Sequence, residues 1–137
     1  MGLFSTALTN LFTPANFQST AALAASSWAT ALATQDAWTA LSGLYVNSWV
    51  DLGGGNMAGA YTKDSSGIVH LRGVVKSGST GVICTLPAGY RPSATCTFTI
   101  TSNNVYGNLY ITIAGVVTAQ VYNNASLFLE GIQFSTA

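Results

Sequence analysis

The stretch at residues 95–101 reads TCTFTIT and has the alternation of a half-buried β-strand. Cys96, Phe98 and Ile100 fall on one side of such a strand, and four threonines fall on the other. Threonine and aromatic residues are favoured in strands because their side chains pack well on a pleated surface. We therefore predict a β-strand here, with its apolar side towards a core and its threonine side towards water.

Similar short runs flank this stretch from about residue 42 to the end of the sequence. Turn residues separate them, among them Asp64-Ser65-Ser66-Gly67, and Pro87 and Pro92 bound a loop that cannot continue a central strand. The predicted strands cover residues 45–52, 58–63, 68–76, 82–86, 95–101, 109–113, 116–121, 126–130 and 132–134. Short strands at such close spacing predict a mainly β fold, an antiparallel β-sandwich of jelly-roll-like type.

The first 40 residues follow a different, alanine-rich pattern with helical spacing of apolar side chains. We predict short helices, one ending before Pro14 and one between residues 19 and 34. Helices this short and uncharged are marginal alone, so we expect them to bind a partner surface. The residues predicted to anchor the chain to a larger particle are Leu3, Phe4, Leu8, Leu11 and Phe12. The chain thus divides into a helical anchoring segment, residues 1–40, and a β-sandwich head, residues 41–137.

The 137-residue chain has very few charges: charged residues make up 6%, the formal net charge is zero and 49% of the residues are hydrophobic. Folded domains usually carry about 25% charged residues. Electrostatic binding of nucleic acid needs clustered Lys and Arg, so this composition excludes it. A membrane span needs about 20 mostly apolar residues in a row, and we predict none. Low net charge favours association, so we expect a component of an assembly.

A series of motifs occurs in order along residues 36–137. The motifs are Trp38-Thr39-Ala40-Leu41, Trp49, Tyr61-Thr62-Lys63-Asp64, Gly67-Ile68-Val69-His70-Leu71-Arg72-Gly73, Leu86-Pro87-Ala88-Gly89-Tyr90-Arg91-Pro92 and Leu129-Glu130-Gly131-Ile132-Gln133-Phe134. This series resembles the carboxy-terminal head domain of bacteriophage tail-fibre and baseplate proteins. The resemblance implies a virion protein with a compact β head, a homotrimer, at the tip of a fibre or on the particle surface.

The expected protein is a short fibre or tip, because only some 40 residues precede the head and no long shaft is present. We expect it in the virion, attached to other virion proteins by its first segment and adhering to the host surface through weak sites that the trimer multiplies. The alternative is a purely structural head fibre or tail decoration protein. A more remote alternative is a tip that cleaves carbohydrate.

No catalytic residues are predicted, and we expect a protein that is not an enzyme. His70 is the sole histidine, and the four carboxylates are those of Asp36, Asp51, Asp64 and Glu130. No Gly-x-Ser-x-Gly elbow occurs, and cleavage of a glycosidic bond needs two carboxylates that face one bond. His70 is interpreted as a structural residue of a strand, with a metal site at a trimer axis as the minority interpretation.

Neither a metal nor a cofactor is predicted. Cys84 and Cys96 are too far apart for a Cys-x-x-Cys motif, and each lies in an apolar strand pattern, so buried free thiols are expected. A disulfide between them across the loop at residues 87–92 is the alternative. The run at residues 53–58, GGGNMA, matches a dinucleotide-binding pattern in form only, because it lacks the strand and helix that such a motif needs.

Three of the four positive charges belong to Lys63, Arg72 and Arg91. In a chain with so few charges, we expect them to pair with carboxylates within or between subunits rather than to bind an anionic ligand. Asp64, next to Lys63, is one such neighbour.

Two polar loops, residues 102–108 and 122–124, combine aromatic rings with amide groups. Aromatic faces beside amide donors and acceptors suit contact with a sugar, so a host-surface glycan is the candidate ligand. The predicted receptor contacts are Asn103, Asn104, Tyr106, Asn108, Tyr122 and Asn123. The alternative is ordinary turn chemistry, because asparagine tolerates the left-handed backbone conformation of tight turns.

Overall fold

The computed structural model describes residues 36–136, and in this part the regular structure is almost entirely β. The strands are β1 (Thr39–Ala40), β2 (Val50–Asp51), β3 (Ala60–Lys63), β4 (Ile68–Arg72), β5 (Val74–Lys76), β6 (Val82–Thr85), β7 (Cys96–Ser102), β8 (Val105–Ile111), β9 (Val116–Val121), β10 (Leu127–Phe128) and β11 (Gln133–Ser135). A short 3-10 helix, Leu41–Gly43, follows β1. The prediction of a mainly β fold is confirmed.

The strands pair antiparallel in two sheets. The smaller sheet has four strands in the order β1-β3-β4-β11, and the larger has seven in the order β2-β5-β10-β7-β8-β9-β6. The antiparallel sheets include a curled half-barrel. Neighbours in sequence pair in the hairpins β3–β4, β7–β8 and β8–β9, as expected for strands joined by short turns.

The chain passes from one sheet to the other at Gly73. Residues 68–76, predicted as one strand, form β4 in the smaller sheet and β5 in the larger sheet instead. Gly73 has φ +100°, and a Cβ atom there would lie 2.4 Å from the carbonyl oxygen of Ala58. The Leu129 amide donates to the Gly73 carbonyl at 2.8 Å, and the Leu71 amide donates to the Ile132 carbonyl at 2.9 Å. The segment from β10 to β11 therefore changes sheets beside the same corner.

Both sheets contribute side chains to one hydrophobic core. The smaller sheet supplies Tyr61, Val69, Leu71 and Phe134, and the larger sheet supplies Val75, Ile83, Cys84, Ile100, Leu109, Ile111, Val117, Ala119 and Leu127. In β7 the alternation follows the prediction, since Cys96 and Phe98 are half-buried, Ile100 is buried, and Thr97, Thr99 and Thr101 are exposed. The predicted face of this strand is confirmed.

Two predicted strand boundaries are wrong. Residues 102–108 were expected to be a loop, but β7 and β8 run up to a two-residue turn at Asn103 and Asn104. Ile113, expected on the buried side of its strand, is 64% exposed. The chain already turns there, because the Gly115 amide donates to the Thr112 carbonyl at 2.8 Å.

The chain divides into two units after Thr34, and the described residues belong to the second unit, Gln35–Ala137. Thr39 and Ala40, which sequence reasoning assigned to the first segment, pair with Tyr61 and Ala60 as the edge strand β1. The helices predicted within residues 1–34 lie outside the described residues. So do the five residues predicted to anchor the chain, Leu3, Phe4, Leu8, Leu11 and Phe12.

Candidate functional site

Asn103 and Asn104 form the tip of the β7–β8 hairpin. Their φ angles are 47° and 65°, and the flanking residues Ser102 and Val105 are paired. Positive φ at both central residues is the geometry of a type I′ turn, which asparagine tolerates better than most residues. Turn geometry therefore accounts for the choice of asparagine at both positions, while both side chains remain exposed.

Ser102 ties this tip to the loop that follows β9. Its buried hydroxyl accepts a hydrogen bond from the Asn123 amide at 2.7 Å and lies 2.7 Å and 3.0 Å from the carbonyl oxygens of Asn123 and Ser126. The Asn123 side chain in turn accepts from the Ala125 amide at 2.9 Å. The structure thus brings the two predicted polar loops together at one end of the larger sheet.

Tyr106 and Asn108 lie on β8 rather than in a loop. Tyr106 is 85% exposed, the most exposed of the large apolar and aromatic side chains in the described part of the chain. Asn108 is half-buried: its amide nitrogen donates to Gln120 at 3.0 Å, and its oxygen accepts from the Val121 amide at 2.8 Å. Asn108 therefore supports the irregular pairing of β8 with β9, while Tyr106 is open to a partner.

Tyr122, next to Asn123 in the sequence, packs towards the core instead of lying open on the surface. It is half-buried, and its ring centroid lies 5.6 Å from that of the buried Trp49 with the planes tilted by 48°. Such a tilted aromatic pair is a packing contact. Of the six predicted receptor contacts, the structure thus gathers Asn103, Asn104 and Asn123 at one tip, keeps Tyr106 and Asn108 on the adjoining strand, and packs Tyr122 against the core.

The surface that carries Tyr106 has no charged side chain on its strands. The sequence has no Asp, Glu, Lys or Arg between Arg91 and Glu130, so β7 to β10 carry none. Residues directly opposite in an antiparallel pair share a face of the sheet. The pairs on the outer side are Thr101 with Tyr106, Thr99 with Asn108 and Thr97 with Tyr110. These six residues are called the uncharged face below.

A second polar group, which sequence reasoning missed, lies on the smaller sheet around Asp64 and His70. One Asp64 oxygen accepts from the amides of Ser66 at 2.9 Å and Ile68 at 3.0 Å, and the other lies 2.9 Å from His70 Nε2. The hydrogen bond from His70, and then that from the Ile68 amide, lower the pKa of Asp64 below its ordinary value. An ionised carboxylate only accepts, so Nε2 carries the proton in this pair.

A cleft of about 240 Å³ opens beside this pair. It is lined by Asp64, Ile68, His70, Gln133 and Phe134, and it is called the His70 cleft below. The sequence contained a signal for it, because the Asp64–Gly67 turn sets the pairing of Thr62 with His70 and thereby brings Asp64 near the imidazole. The pairing of His70 with Gln133, 63 residues further along, had no such local signal.

The three basic residues expected to pair with carboxylates contact carbonyl oxygens and aromatic rings instead. Lys63 donates to the Gly89 carbonyl at 3.1 Å, and its ammonium lies 4.9 Å from the ring centroid of Tyr90. Arg91 donates to the Leu86 carbonyl at 2.8 Å. The Arg72 guanidinium lies 4.0 Å from the ring centroid of Trp38, and its buried Nε has no hydrogen-bond partner within residues 36–136. Within residues 36–136 none of the three pairs with a carboxylate, and pairing between subunits stays a prediction.

Two aspartates accept hydrogen bonds from tyrosine hydroxyls. The Tyr90 hydroxyl donates to Asp36 at 2.5 Å, and this bond is the main reason that the pKa of Tyr90 rises to about 12. The Tyr45 hydroxyl donates to Asp51 at 2.6 Å, and burial followed by this bond raises the pKa of Tyr45. In the described part of the chain, His, Cys, Asp and Glu do not gather in groups of three or more that could hold a metal ion.

Both cysteines are free thiols in the structure. Cys84 is buried, and burial raises the pKa of its thiol to about 12. Cys96 was also expected to be buried, but it is partly exposed, with its sulfur 3.4 Å from the Ala94 carbonyl oxygen. The disulfide alternative is therefore wrong, and the expectation of buried thiols holds for Cys84 alone.

Comparison with known proteins adds no relative. No protein-family model, curated protein or solved structure matches the chain. Between residues 36 and 136, no helix has the length and apolar character needed to cross a membrane. The motifs and the two surfaces described above therefore carry the functional proposal.

Proposed function

We propose that this chain is a bacteriophage virion protein whose β head binds carbohydrate on the host surface. The observation that carries the proposal is the exposed Tyr106 ring on a sheet face that presents hydroxyl and amide groups without charges. The ordered motifs of residues 36–137, which resemble phage tail-fibre and baseplate heads, supply the virion setting. The protein acts by binding and not as an enzyme.

The chemistry of the uncharged face suits a neutral polysaccharide. An aromatic ring packs against the C–H face of a sugar, while hydroxyl and amide groups exchange hydrogen bonds with sugar hydroxyls. Thr99 and Thr101 lie on β7 directly opposite Asn108 and Tyr106 on β8, so the donors and acceptors lie beside the ring. A single site of this kind binds weakly.

Multivalency converts weak sites into firm adhesion. In this proposal the head is a jelly-roll-like β-sandwich, and three copies of it form a homotrimer. Residues 1–40 attach the trimer to other virion proteins. Three sites on each trimer and many trimers on each particle raise the effective concentration of every unbound site. Low net charge supports the trimer, because it favours association.

Binding of the labelled full-length protein to host cells, or to a glycan array, tests the proposal. We expect Tyr106→Ala to weaken binding about tenfold or more, because a loss of about 1 kcal/mol at each site is multiplied by the number of sites. Ile113→Ala is the matched control, since Ile113 is an exposed apolar residue in the turn that follows β8, beyond the end opposite Tyr106. Equal binding by wild type and Tyr106→Ala would contradict a role for this face.

The second candidate function is a purely structural decoration protein, and the hairpin turn favours it. Asn103 and Asn104 are explained by their positive φ angles, without any receptor. Asn104→Gly keeps the type I′ turn and removes one amide side chain, so it separates the two roles. Weaker cell binding by this variant would assign the Asn104 amide to recognition. No cell or glycan binding by the wild-type trimer would favour the decoration protein.

A further inference from the structure

The His70 cleft lies on the smaller sheet, and its polar groups are held in fixed positions while they remain partly exposed. Asp64 is held in place by two backbone amides and the imidazole, and its side chain stays 29% exposed. His70 is 33% exposed, and its Nδ1 has no hydrogen-bond partner within the described residues. An ordered carboxylate and imidazole require little rearrangement when a ligand arrives, which lowers the cost of binding.

Gln133 completes the polar lining. It pairs directly with His70 across β4 and β11, so both side chains lie on the same face of the sheet. Gln133 is exposed, and its side-chain amide has no hydrogen-bond partner in the described part of the chain. On the other side of His70, Thr62 is buried and its hydroxyl donates to the Asp36 carbonyl, which closes that side.

The lining carries acceptors, a donor and an apolar surface, but no lysine or arginine. Lys63 and Arg72, the nearest basic residues along β3 and β4, contact the Gly89 carbonyl and the Trp38 ring. An ionised Asp64 in the cleft disfavours phosphate and carboxylate ligands by like-charge repulsion. The half-buried Ile68 and the adjoining Phe134 supply the apolar part. Such a mixture is typical of a small-molecule site.

We propose that the His70 cleft binds one neutral sugar unit through two adjacent hydroxyl groups. One hydroxyl donates to the partly exposed Asp64 carboxylate, its neighbour exchanges hydrogen bonds with the Gln133 side-chain amide, and the C–H face of the ring packs on Ile68. This inference rests on the proposed binding of host carbohydrate and adds a second contact, on the other sheet from the uncharged face. Both contacts on each head then contribute to adhesion.

The single histidine makes the test direct, because one imidazole signal reports on the cleft. The full-length protein is titrated with the methyl glycosides of glucose, galactose, mannose and N-acetylglucosamine, and separately with glycerol phosphate, while the His70 signal is followed by NMR. We expect a saturable shift with at least one glycoside. No shift with any glycoside, or a shift with glycerol phosphate alone, overturns the proposal.

Variants link the shift to the cleft. Gln133→Ala should bind the active glycoside about tenfold more weakly, the value of one lost hydrogen bond. Ser65→Ala, an exposed position on the adjoining turn, should bind as the wild type does. Gln133 is exposed, so its variant should fold; equal melting temperatures check this, and Ile68→Ala provides a second, apolar variant. Wild-type affinity in Gln133→Ala overturns the proposal.

The cell-binding assay separates this inference from the proposed function. If Tyr106→Ala weakens cell binding and Gln133→Ala neither weakens it nor alters the glycoside titration, the cleft fails and adhesion through the uncharged face stands. If glycosides shift the His70 signal but the protein binds no cells, the cleft stands and the adhesion proposal fails.

Discussion

At the scale of single residues, the polar side chains of residues 36–136 bind backbone groups more often than they bind each other. The buried Ser102 hydroxyl contacts the backbone of Asn123, and Asp64 accepts from the amides of Ser66 in its turn and Ile68 at the start of β4. The Trp49 indole donates to the Thr80 carbonyl at 2.8 Å. These bonds satisfy backbone groups in loops and at the end of a strand, where pairing within a sheet leaves them without a partner. In a chain with 6% charged residues, residues 36–136 are therefore held together without ion-pair networks.

The two thiols should differ sharply in reactivity. Only the thiolate reacts readily, and the pKa of about 12 keeps the buried Cys84 protonated at pH 8. Cys96 is partly exposed. We expect a maleimide to add quickly to one thiol of the native chain and to the second only after unfolding, as counted by mass spectrometry.

Two variants assign the adducts. Cys96→Ser should lose the fast adduct, and Cys84→Ser should retain it. Rapid addition of two maleimides to the native wild-type protein would contradict the burial of Cys84. The alternation of apolar and polar residues places Cys96 on the apolar side of β7. It does not show how far along that side the core covers the strand, so the partial exposure of Cys96 was not predictable.

At the scale of secondary-structure elements, the sequence predicted strands well where alternation continues and less well where the chain changes direction. The alternating run at residues 95–101 matches β7 within one residue. The run at residues 68–76 looked equally regular, yet Gly73 divides it between two sheets. Alternation records which side chains are buried, and a corner that keeps both halves buried leaves the pattern almost unchanged. The corner was therefore not predictable from spacing.

Gly73 should be far less replaceable than Gly131. Both have positive φ, +100° and +82°, but a Cβ atom meets the Ala58 backbone at 2.4 Å in the first case and nothing within 4 Å in the second. We expect Gly131→Ala to lower the free energy of unfolding by about 1–2 kcal/mol, the cost of left-handed backbone for an L-residue. Gly73→Ala should cost about 4 kcal/mol or more, because a backbone clash adds to that strain.

Urea unfolding of both variants measures the difference, and Gly131→Ala serves as the control for backbone strain alone. Similar losses in the two variants would mean that the corner can open to admit a methyl group. In that case the close approach of Gly73 to Ala58 would not be what sets the change of sheet.

At the scale of the whole molecule, the sequence predicted the class of fold, but it predicted only in part which side chains lie close together. The polar loops around Asn103 and Asn123 were recognised, and Ser102 brings them together. The His70 cleft was missed because it depends on the pairing of β4 with β11, which are far apart in sequence. Local patterns fix turns and strand faces, whereas pairing between distant strands depends on the packing of the whole chain.

The assembly state is the prediction that belongs to this scale. We expect native mass spectrometry of the full chain to give a trimer of 14.1 kDa subunits. Because charged residues make up only 6% of the chain, association should persist when the salt concentration is raised to about 1 M, where ion pairs are screened. A stable 14.1 kDa monomer would contradict the trimer. Dissociation by salt would show that charged residues hold the subunits together.

The pairing of β4 with β11 also sets the order in which the chain acquires its structure during translation. β4 is synthesised long before β11, so until residues 133–135 emerge from the ribosome one edge of β4 has no partner. Elongation at about 5–20 residues per second leaves this edge unpaired for several seconds. The smaller sheet is therefore completed late, after the hairpins of the larger sheet have been made. Nascent heads crowded on one polysome carry matching unpaired edges during that interval, which is when mispairing between chains is most easily made.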